Sequence, residues 1–181
     1  LEFRRVLFRS AHTPVDGLIL ETARKITGNE QDPLKKARLI YEWVSSHMER
    51  DNDVIGCGTG DVAEILKSGK LKGKCTDMSS VFVALARASG IPARELFGIR
   101  LGKANKLERY SKSAFGKADS AGVADVSGGQ HCRAEFYLAG YGWLPCDPAD
   151  VTKMRLAEKK SHQDADVQAV NTYLFGNWEM N

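Results

Sequence analysis

The stretch that decides the fold runs from residue 72 to residue 94 and reads KGKCTDMSSVFVALARASGIPAR. After Cys75, apolar side chains recur at the i, i+3, i+4, i+7 and i+8 positions of one helical face. They are Met78, Val81, Phe82, Leu85 and Ala86. Gly90 and Pro92 then supply the signals that end a helix. The pattern predicts an amphipathic helix that begins near Cys75 and buries one face in the core.

Cys75 occupies the open end of this predicted helix, with Lys72 and Lys74 just before it. The N-terminus of a helix carries about half a positive charge, and this field favours a thiolate over a thiol. Because the thiolate is the nucleophilic form, the position favours a reactive cysteine. An inert, buried thiol is the alternative.

A β-hairpin is predicted further along the chain, after a strand at 93–101. Cys132 to Leu138 and Trp143 to Cys146 flank Ala139-Gly140-Tyr141-Gly142, a stretch with glycines suited to a turn. His131 and Asp147 bracket the hairpin. If they lie directly opposite each other, the hairpin is centred on residue 139, and the carboxylate can hold one ring nitrogen while the other takes a thiol proton. The alternative is a surface His131, with Asp147 capping a helix that starts at Pro148.

The same register places Cys132 opposite Cys146 on the other face of the hairpin. A disulfide between directly paired strands strains the bond geometry. Two small buried thiols are therefore the favoured interpretation, since a free cysteine packs as a small hydrophobic residue.

The rest of the chain predicts mainly helices. One covers Pro14 to Thr27, and a second starts with Asp32 as cap and Pro33 as first residue and runs through Met48. A short helix follows Asp61, and a last one covers Asp164 to Leu174. Residues 56–60, Gly-Cys-Gly-Thr-Gly, form a loop that lacks the Lys-Ser/Thr of a phosphate-binding loop. Residues 102–129 form a long polar connection.

Composition and charge narrow the class of protein. Among 181 residues, 43% are hydrophobic and 27% charged, and no apolar run reaches the roughly 20 residues of a membrane span. Residues 1–10 match the translation of a sequencing adaptor and hold three of the 26 basic and one of the 23 acidic residues. Without them the formal charge of +3 falls to +1. No nucleic-acid partner is therefore predicted.

The predicted organisation is an adaptor artefact at residues 1–10 and a single domain at residues 11–181, truncated at both ends. Any signal peptide would have been lost with the native start, so location stays open, with export to the periplasm among the alternatives. The four cysteines, Cys57, Cys75, Cys132 and Cys146, contain no CxxC pair and indicate neither compartment nor a zinc ribbon.

Three motifs together resemble the bacterial transglutaminase-like superfamily. They are the Gly-Lys-Cys-Thr-Asp of residues 73–77 with the helix ending in Gly-Ile-Pro-Ala-Arg at 90–94, the His-Cys-Arg-Ala-Glu-Phe-Tyr of 131–137, and the Gly-Trp-Leu-Pro-Cys-Asp-Pro of 142–148. The resemblance extends from Pro33 to Val151. It implies a papain-like α+β fold with N-terminal helices, in which the cysteine-bearing helix packs on an antiparallel sheet. By this match Cys75 is the nucleophile, His131 the base and Asp147 the group that orients the base.

The resemblance implies a thiol-dependent acyl-transfer enzyme of peptidase, amidase or transglutaminase type. It would attack a peptide or protein amide through a Cys75 thioester, with no cofactor or metal. Calcium dependence is not implied, because no EF-hand-like spacing is present. Two alternatives stay open: a non-catalytic peptide- or glycan-binding module, and a zinc site made of Cys75, His131 and Asp147. The substrate, the acyl acceptor, the oligomeric state and the second oxyanion donor (Gln130 and Trp43 are unassigned candidates) are not predicted.

Overall fold

The structure, a computed structural model, describes residues 13–99, 119–123, 125 and 127–177. The predicted adaptor at 1–10 and most of the predicted loop at 102–129 lie outside these residues. The described chain contains six α-helices, five strands and a 3₁₀ turn at Ser127–Gly129. The helices are α1 (Gly17–Thr27), α2 (Pro33–His47), α3 (Val62–Ser68), α4 (Cys75–Ala88), α5 (Pro148–Glu158) and α6 (Ala165–Tyr173). The strands are β1 (Glu49–Arg50), β2 (Lys72–Gly73), β3 (Ala93–Ile99), β4 (Gln130–Leu138) and β5 (Gly142–Cys146).

Helix α4 forms the centre of the fold. It contacts β3 and β4 on one side and α1, α2 and α5 on the others. Every residue from Cys75 to Ala86 is buried, so the helix is covered on all faces and not on one stripe as its apolar pattern predicts. The predicted α+β fold, with the Cys75 helix packed on an antiparallel sheet, is confirmed.

The N-terminal helices begin where their capping residues predict. The Asp32 side chain accepts hydrogen bonds from the backbone N–H groups of Leu34 and Lys35 at the start of α2. The Asp61 carboxylate accepts one from Glu64 at the start of α3. Helix α1 starts at Gly17, three residues later than predicted, because Asp16 takes the N-cap position. α2 and α4 pack directly on each other and share the apolar core.

The three larger strands form an antiparallel sheet in the order β3-β4-β5. Leu138 pairs with Gly142 and Ala134 pairs with Cys146, so the hairpin is centred on residue 140. The predicted register, centred on residue 139, is therefore wrong. The loop has three residues, and Gly140 and Gly142 take positive φ angles of 85° and 89° that few other residues adopt.

The register correction preserves the faces of the sheet. Extending the ladder places Arg133, not His131, opposite Asp147. His131 lies two residues from Arg133 and shares its face, because side chains alternate with a period of two. His131 and Asp147 are thus diagonal neighbours on one face, still close enough for long side chains to meet.

The predicted pairing of Cys132 with Cys146 is wrong for the same reason, since Ala134 stands opposite Cys146. Both thiols are free and buried, which confirms the preference for free thiols over a disulfide. Cys146 packs in the core, whereas the sulfur of Cys132 lies 3.1 Å from the hydroxyl of Thr76 on α4. No helix among the described residues is long and apolar enough to cross a membrane.

Candidate active site

The cysteine end of the site is fixed by Asp77, a buried carboxylate at the third position of α4. Its Oδ2 accepts a hydrogen bond from the backbone N–H of Lys74 at 2.9 Å, as in a capping box. Its Oδ1 accepts two more, from the backbone N–H groups of Thr59 and Gly60 at 3.0 and 2.9 Å. One carboxylate therefore holds both the start of the Cys75 helix and the loop at 56–60.

Two glycines allow the backbone to approach Asp77 this closely. A Cβ on Gly58 would stand 2.0 Å from Asp77 Oδ2, and Gly58 also has a φ of +104°. A Cβ on Gly73 would stand 2.5 Å from the Cβ of Asp77. The glycine-rich stretch that the sequence predicts only as a loop is thus a tight backbone wrap around the end of α4. A further bond, from the N–H of Thr76 to the carbonyl of Cys57 at 2.9 Å, completes it.

The histidine end of the site is fixed by Asp147. The Nε2 of His131 lies 2.5 Å from Oδ2 of Asp147, and both side chains are buried, with 9% and 1% of their surface exposed. The other oxygen, Oδ1, accepts the backbone N–H of Asp150 at 3.0 Å as the N-cap of α5. Asp147 therefore holds the imidazole and caps the helix after Pro148 at once. From the sequence these two roles are alternatives, and the structure contains both.

The charge on His131 is set by its carboxylate neighbours. Burial lowers the pKa of the His131 imidazole. The charges of Asp147 and Asp150 and the hydrogen bonds to Asp147 and Cys75 outweigh burial and raise this pKa to about 9. Asp150 Oδ1 stands 3.9 Å from Nε2. With Nε2 held by Asp147, the remaining ring nitrogen, Nδ1, is the one available to Cys75. His131 is accordingly a cation at neutral pH.

The thiol of Cys75 is stabilised in its ionised form. A hydrogen bond from the Cys132 thiol lowers the pKa of Cys75 most, burial opposes it, and the hydrogen bond and charge of His131 lower it again, to about 3. The pKa of Cys132 is raised correspondingly, chiefly by that hydrogen bond to Cys75. At neutral pH the site thus holds a thiolate–imidazolium pair, and Cys132 keeps its proton as the donor.

A cleft of about 810 Å³ adjoins this pair. Its wall includes His131 and Cys132 from β4, Thr76 from α4, and the loop residues Cys57 and Gly58. Apolar side chains of β3, Phe97 and Ile99, line it too. Cys75 itself is 5% exposed and does not contribute to the wall, so its sulfur lies just beneath the cleft surface.

The structure brings together the three residues that the sequence singles out, Cys75, His131 and Asp147. Of the two unassigned oxyanion candidates, Gln130 lines the cleft, whereas Trp43 stacks on His47 and is not among the described lining residues. Sequence analysis missed the contributions of Asp77, Cys57 and Cys132. Asp77 could have been found as an acidic residue at the third helical position. No local signal relates Cys57 to Cys75, because the fold brings them together.

Comparison with known proteins places this chain in a family. Residues 20–148 match the model of the transglutaminase-like superfamily. The match covers well over half of the chain and includes Cys75, His131 and Asp147. The protein therefore belongs to the transglutaminase-like superfamily.

Individual proteins resemble this chain in sequence or in fold. An uncharacterized protein of Haemophilus influenzae is 64% identical over all 181 residues, and the chain spans 49% of that protein's length. Among solved structures, a candidate cysteine protease from Cytophaga hutchinsonii has a TM-score of 0.56 at 22% identity, covering 79% of this chain and 40% of that one. The periplasmic domain of TgpA from Pseudomonas aeruginosa has a TM-score of 0.53 at 17% identity, covering 86% and 49%. At identities this low, the likeness to the solved structures shows the fold alone.

Proposed function

We propose that this chain is a thiol-dependent acyl-transfer domain in which Cys75 attacks the carbonyl carbon of a peptide or protein amide. The observation that carries the proposal is the 2.5 Å contact between His131 and Asp147 beside a cleft, with Cys75 near enough for the charge of His131 to lower its pKa. A nucleophile, a base and a group that orients the base are the three parts of such a site. Membership of the superfamily and the protease-like relatives support the same reaction class.

The first half of the reaction forms an acyl-enzyme. The Cys75 thiolate donates an electron pair to the carbonyl carbon, and the carbonyl oxygen takes up the negative charge. The backbone N–H of Cys75 is one donor for this oxyanion, since the first residue of a helix has no partner for it within the helix. As the C–N bond breaks, the His131 imidazolium gives its proton to the departing amine, leaving a thioester and a neutral imidazole.

The second half returns the enzyme to its starting state. Neutral His131 takes a proton from water or from an incoming amine, which attacks the thioester carbon. The C–S bond breaks, Cys75 leaves as a thiolate, and His131 is again a cation. Asp147 remains ionised throughout and holds Nε2, so that Nδ1 faces the sulfur in each step. Water yields a hydrolase and an amine yields a transglutaminase.

Alkylation kinetics test the nucleophile before any substrate is known. At pH 6 an ordinary thiol is ionised in about one molecule in 10³, whereas Cys75 is ionised almost completely, so iodoacetamide should modify Cys75 first. Mass spectrometry of digested peptides identifies the site. Cys146→Ala is the matched control, because it removes a core cysteine of the same sheet and should leave the rate at Cys75 unchanged. Equal, slow modification of all thiols, or modification of Cys57 ahead of Cys75, would contradict the proposal.

Turnover is then sought with peptide and protein substrates, with and without a primary amine. Cys75→Ala should lower any cleavage or amine incorporation to background, a loss of about 10⁴-fold or more. The distribution of product between acid and substituted amide measures the acyl acceptor. A Cys75→Ala protein with the wild-type rate would exclude the thioester route.

A further inference from the structure

Three cysteines from three separate segments converge beside the site. Cys57 lies in the loop before α3, Cys75 begins α4, and Cys132 lies on β4. Their three Sγ atoms are all within 4.8 Å of one another, and all three thiols are free. The proposed reaction uses one of these sulfurs as nucleophile and leaves the presence of Cys57 unexplained.

The spacing of the sulfurs matches that of a thiolate metal site. In a tetrahedral zinc site the Zn–S bonds are about 2.3 Å, which places ligand sulfurs about 3.8 Å apart. From a separation of at most 4.8 Å, a shift of about half an ångström by each sulfur reaches that geometry. Soft thiolate ligands select zinc and other thiophilic ions over magnesium or calcium.

The surroundings hold the three sulfurs in place and leave an entry path. The loop that carries Cys57 is bonded to α4 through the Thr76 N–H and through Asp77. The hydroxyl of Thr76 contacts the Cys132 sulfur at 3.1 Å, as an outer partner of a metal ligand does. Cys57 is partly exposed and lines the cleft, so an ion can reach the cluster from solvent.

We propose that Cys57, Cys75 and Cys132 together bind one thiophilic divalent ion of the zinc type, with the fourth position open toward the cleft. Binding displaces the thiol protons of Cys57 and Cys132 to solvent and forms three metal–sulfur bonds. If the proposed function holds, the metal–sulfur bond at Cys75 uses the sulfur electron pair that would otherwise attack the amide. The metal-bound protein is then the inactive form, and release of the ion restores the nucleophile.

A second cluster provides the competing location. One oxygen or nitrogen each of His131, Asp147 and Asp150 also lie within 4.8 Å of one another. There, however, Nε2 of His131 is bonded to Asp147, and Asp147 also caps α5. A metal at that position would have to break the contact that orients the imidazole, whereas a metal at the cysteines would replace weak thiol hydrogen bonds, such as that of Cys57 with Gln130.

The test measures metal binding by the reduced, metal-free 181-residue chain. Zinc is titrated in competition with a chromophoric chelator, and cobalt(II) is used as a spectroscopic probe. We expect one ion per chain, a thiolate-to-cobalt charge-transfer band and the visible bands of tetrahedral cobalt. Cys57→Ala should lower the affinity at least tenfold with little effect on folding, because that side chain is the most exposed of the three. Cys132→Ala should do the same, and Cys146→Ala is the matched control with unchanged binding.

Each other outcome overturns the proposal. If the wild-type protein binds no zinc, or binds it with the same affinity as Cys57→Ala, the three-cysteine site is excluded. Loss of binding in Asp150→Asn but not in Cys57→Ala places the ion at the histidine–carboxylate cluster. Zinc should also protect Cys75 from iodoacetamide in the wild type and not in Cys57→Ala. Slow labelling of metal-free Cys75 would contradict the acyl-transfer function and leave the binding result intact, so the two proposals fail separately.

Discussion

Two histidines of this protein are buried to nearly the same degree and titrate in opposite directions. His131 is 9% exposed and His162 8%. Burial is the largest influence on both and lowers the pKa of each. For His162 the pKa stays lowered, because its partners are mainly neutral: Ser45 Oγ lies 3.1 Å from Nε2 and the side-chain amide of Gln168 donates to Nδ1 at 3.0 Å. For His131, the two carboxylates and Cys75 overcome burial and raise the pKa to about 9.

The comparison shows that burial by itself does not mark a reactive histidine. His162 also has a carboxylate nearby, since Glu42 Oε2 lies 3.6 Å from Nε2, but its effect is opposed by Arg155 and Arg38. His131 instead receives the charges of both Asp147 and Asp150, together with hydrogen bonds to Asp147 and Cys75. What distinguishes the site is a fixed carboxylate at hydrogen-bond distance, with a thiol on the other side of the ring.

The largest expected effect comes from removing the carboxylate partner of His131, which leaves this residue, like His162, with a neutral hydrogen-bond partner. In Asp147→Asn the amide oxygen can still cap α5, but the amide N–H₂ now faces Nε2 of His131. The ring then carries its proton on the nitrogen that faces Cys75, which is the wrong tautomer for a base. We expect turnover to fall by about 10³- to 10⁴-fold, as in Ser-His-Asp triads, and the His131 pKa to fall below 9, measured by NMR titration.

The matched control is Glu42→Gln, which removes the carboxylate beside His162. It should lower the His162 pKa and leave both the alkylation rate of Cys75 and turnover unchanged. Loss of Cys75 reactivity in Glu42→Gln as large as that in Asp147→Asn would contradict the distinction between the two histidines.

The pH dependence follows from the same pKa values. The thiolate of Cys75 and the imidazolium of His131 coexist between about pH 3 and about pH 9. Turnover by metal-free protein should therefore rise as pH increases through the lower value and fall above the upper one, where no imidazolium protonates the leaving amine. A rate that keeps increasing up to pH 10, as expected of an ordinary thiol, would show that the ion pair is absent.

A smaller effect is expected in the loop at residues 56–60, which is hydrogen-bonded to the start of the Cys75 helix. Gly58→Ala must displace Asp77, because the new Cβ would stand 2.0 Å from its carboxylate, and φ is +104°. We expect a loss of about 3 kcal/mol in unfolding free energy, from backbone strain and weakened hydrogen bonds, together with slower alkylation of Cys75.

Gly56→Ala is the control within the same loop. Gly56 has a φ of +61° but nothing within 4 Å of the added Cβ, so only the backbone term of about 1 kcal/mol remains. Urea unfolding measures both variants. If Gly56→Ala and Gly58→Ala lose equal unfolding free energy, the backbone wrap around Asp77 does not contribute to stability.

The smallest effect on Cys75 is expected at His162. His162→Gln should lower stability by about 1 to 2 kcal/mol near neutral pH through lost hydrogen bonds, without altering Cys75. Since the folded-state pKa of His162 is lowered below 6.5, its contribution is present above that pH and is lost as pH falls. The difference between wild type and variant, measured by urea unfolding at pH 7.5 and 5.5, should therefore narrow at the lower pH. A difference that widens there would contradict the lowered pKa.

The sequence predicted those parts of the fold that depend on local pattern. The helix from Cys75, the caps at Asp32 and Asp61, and the two strands around Gly140 all follow from side-chain periodicity and from residues with special backbone preferences. The meeting of His131 and Asp147 was predicted from a register that is off by two positions. It survived because a shift of two residues keeps each side chain on the same face of a strand.

The approach of Cys57 and Cys132 to Cys75 could not be predicted. Cys57 and Cys132 reach Cys75 only after the loop has wrapped Asp77 and β4 has packed on α4, and neither event leaves a periodic signal in the sequence. Helix α5 is predicted from the sequence only as an alternative, in which Asp147 is the cap and Pro148 the first-turn proline. The two interpretations of Asp147 compete at the level of sequence, because no local pattern shows that its two carboxylate oxygens have different partners.

Asp147 both caps α5 and holds the imidazole of His131, so the orientation of His131 depends on the folding of α5. Its Oδ1 accepts a bond from the first turn of α5 while Oδ2 holds the imidazole. A chain in which residues 148–158 have not yet formed their helix has a carboxylate free to rotate and an imidazole without a set tautomer. Such a molecule would lack the fixed imidazole that the proposed reaction requires. The arrangement that the proposed reaction requires at His131 is therefore complete only when the segment after residue 147 is helical.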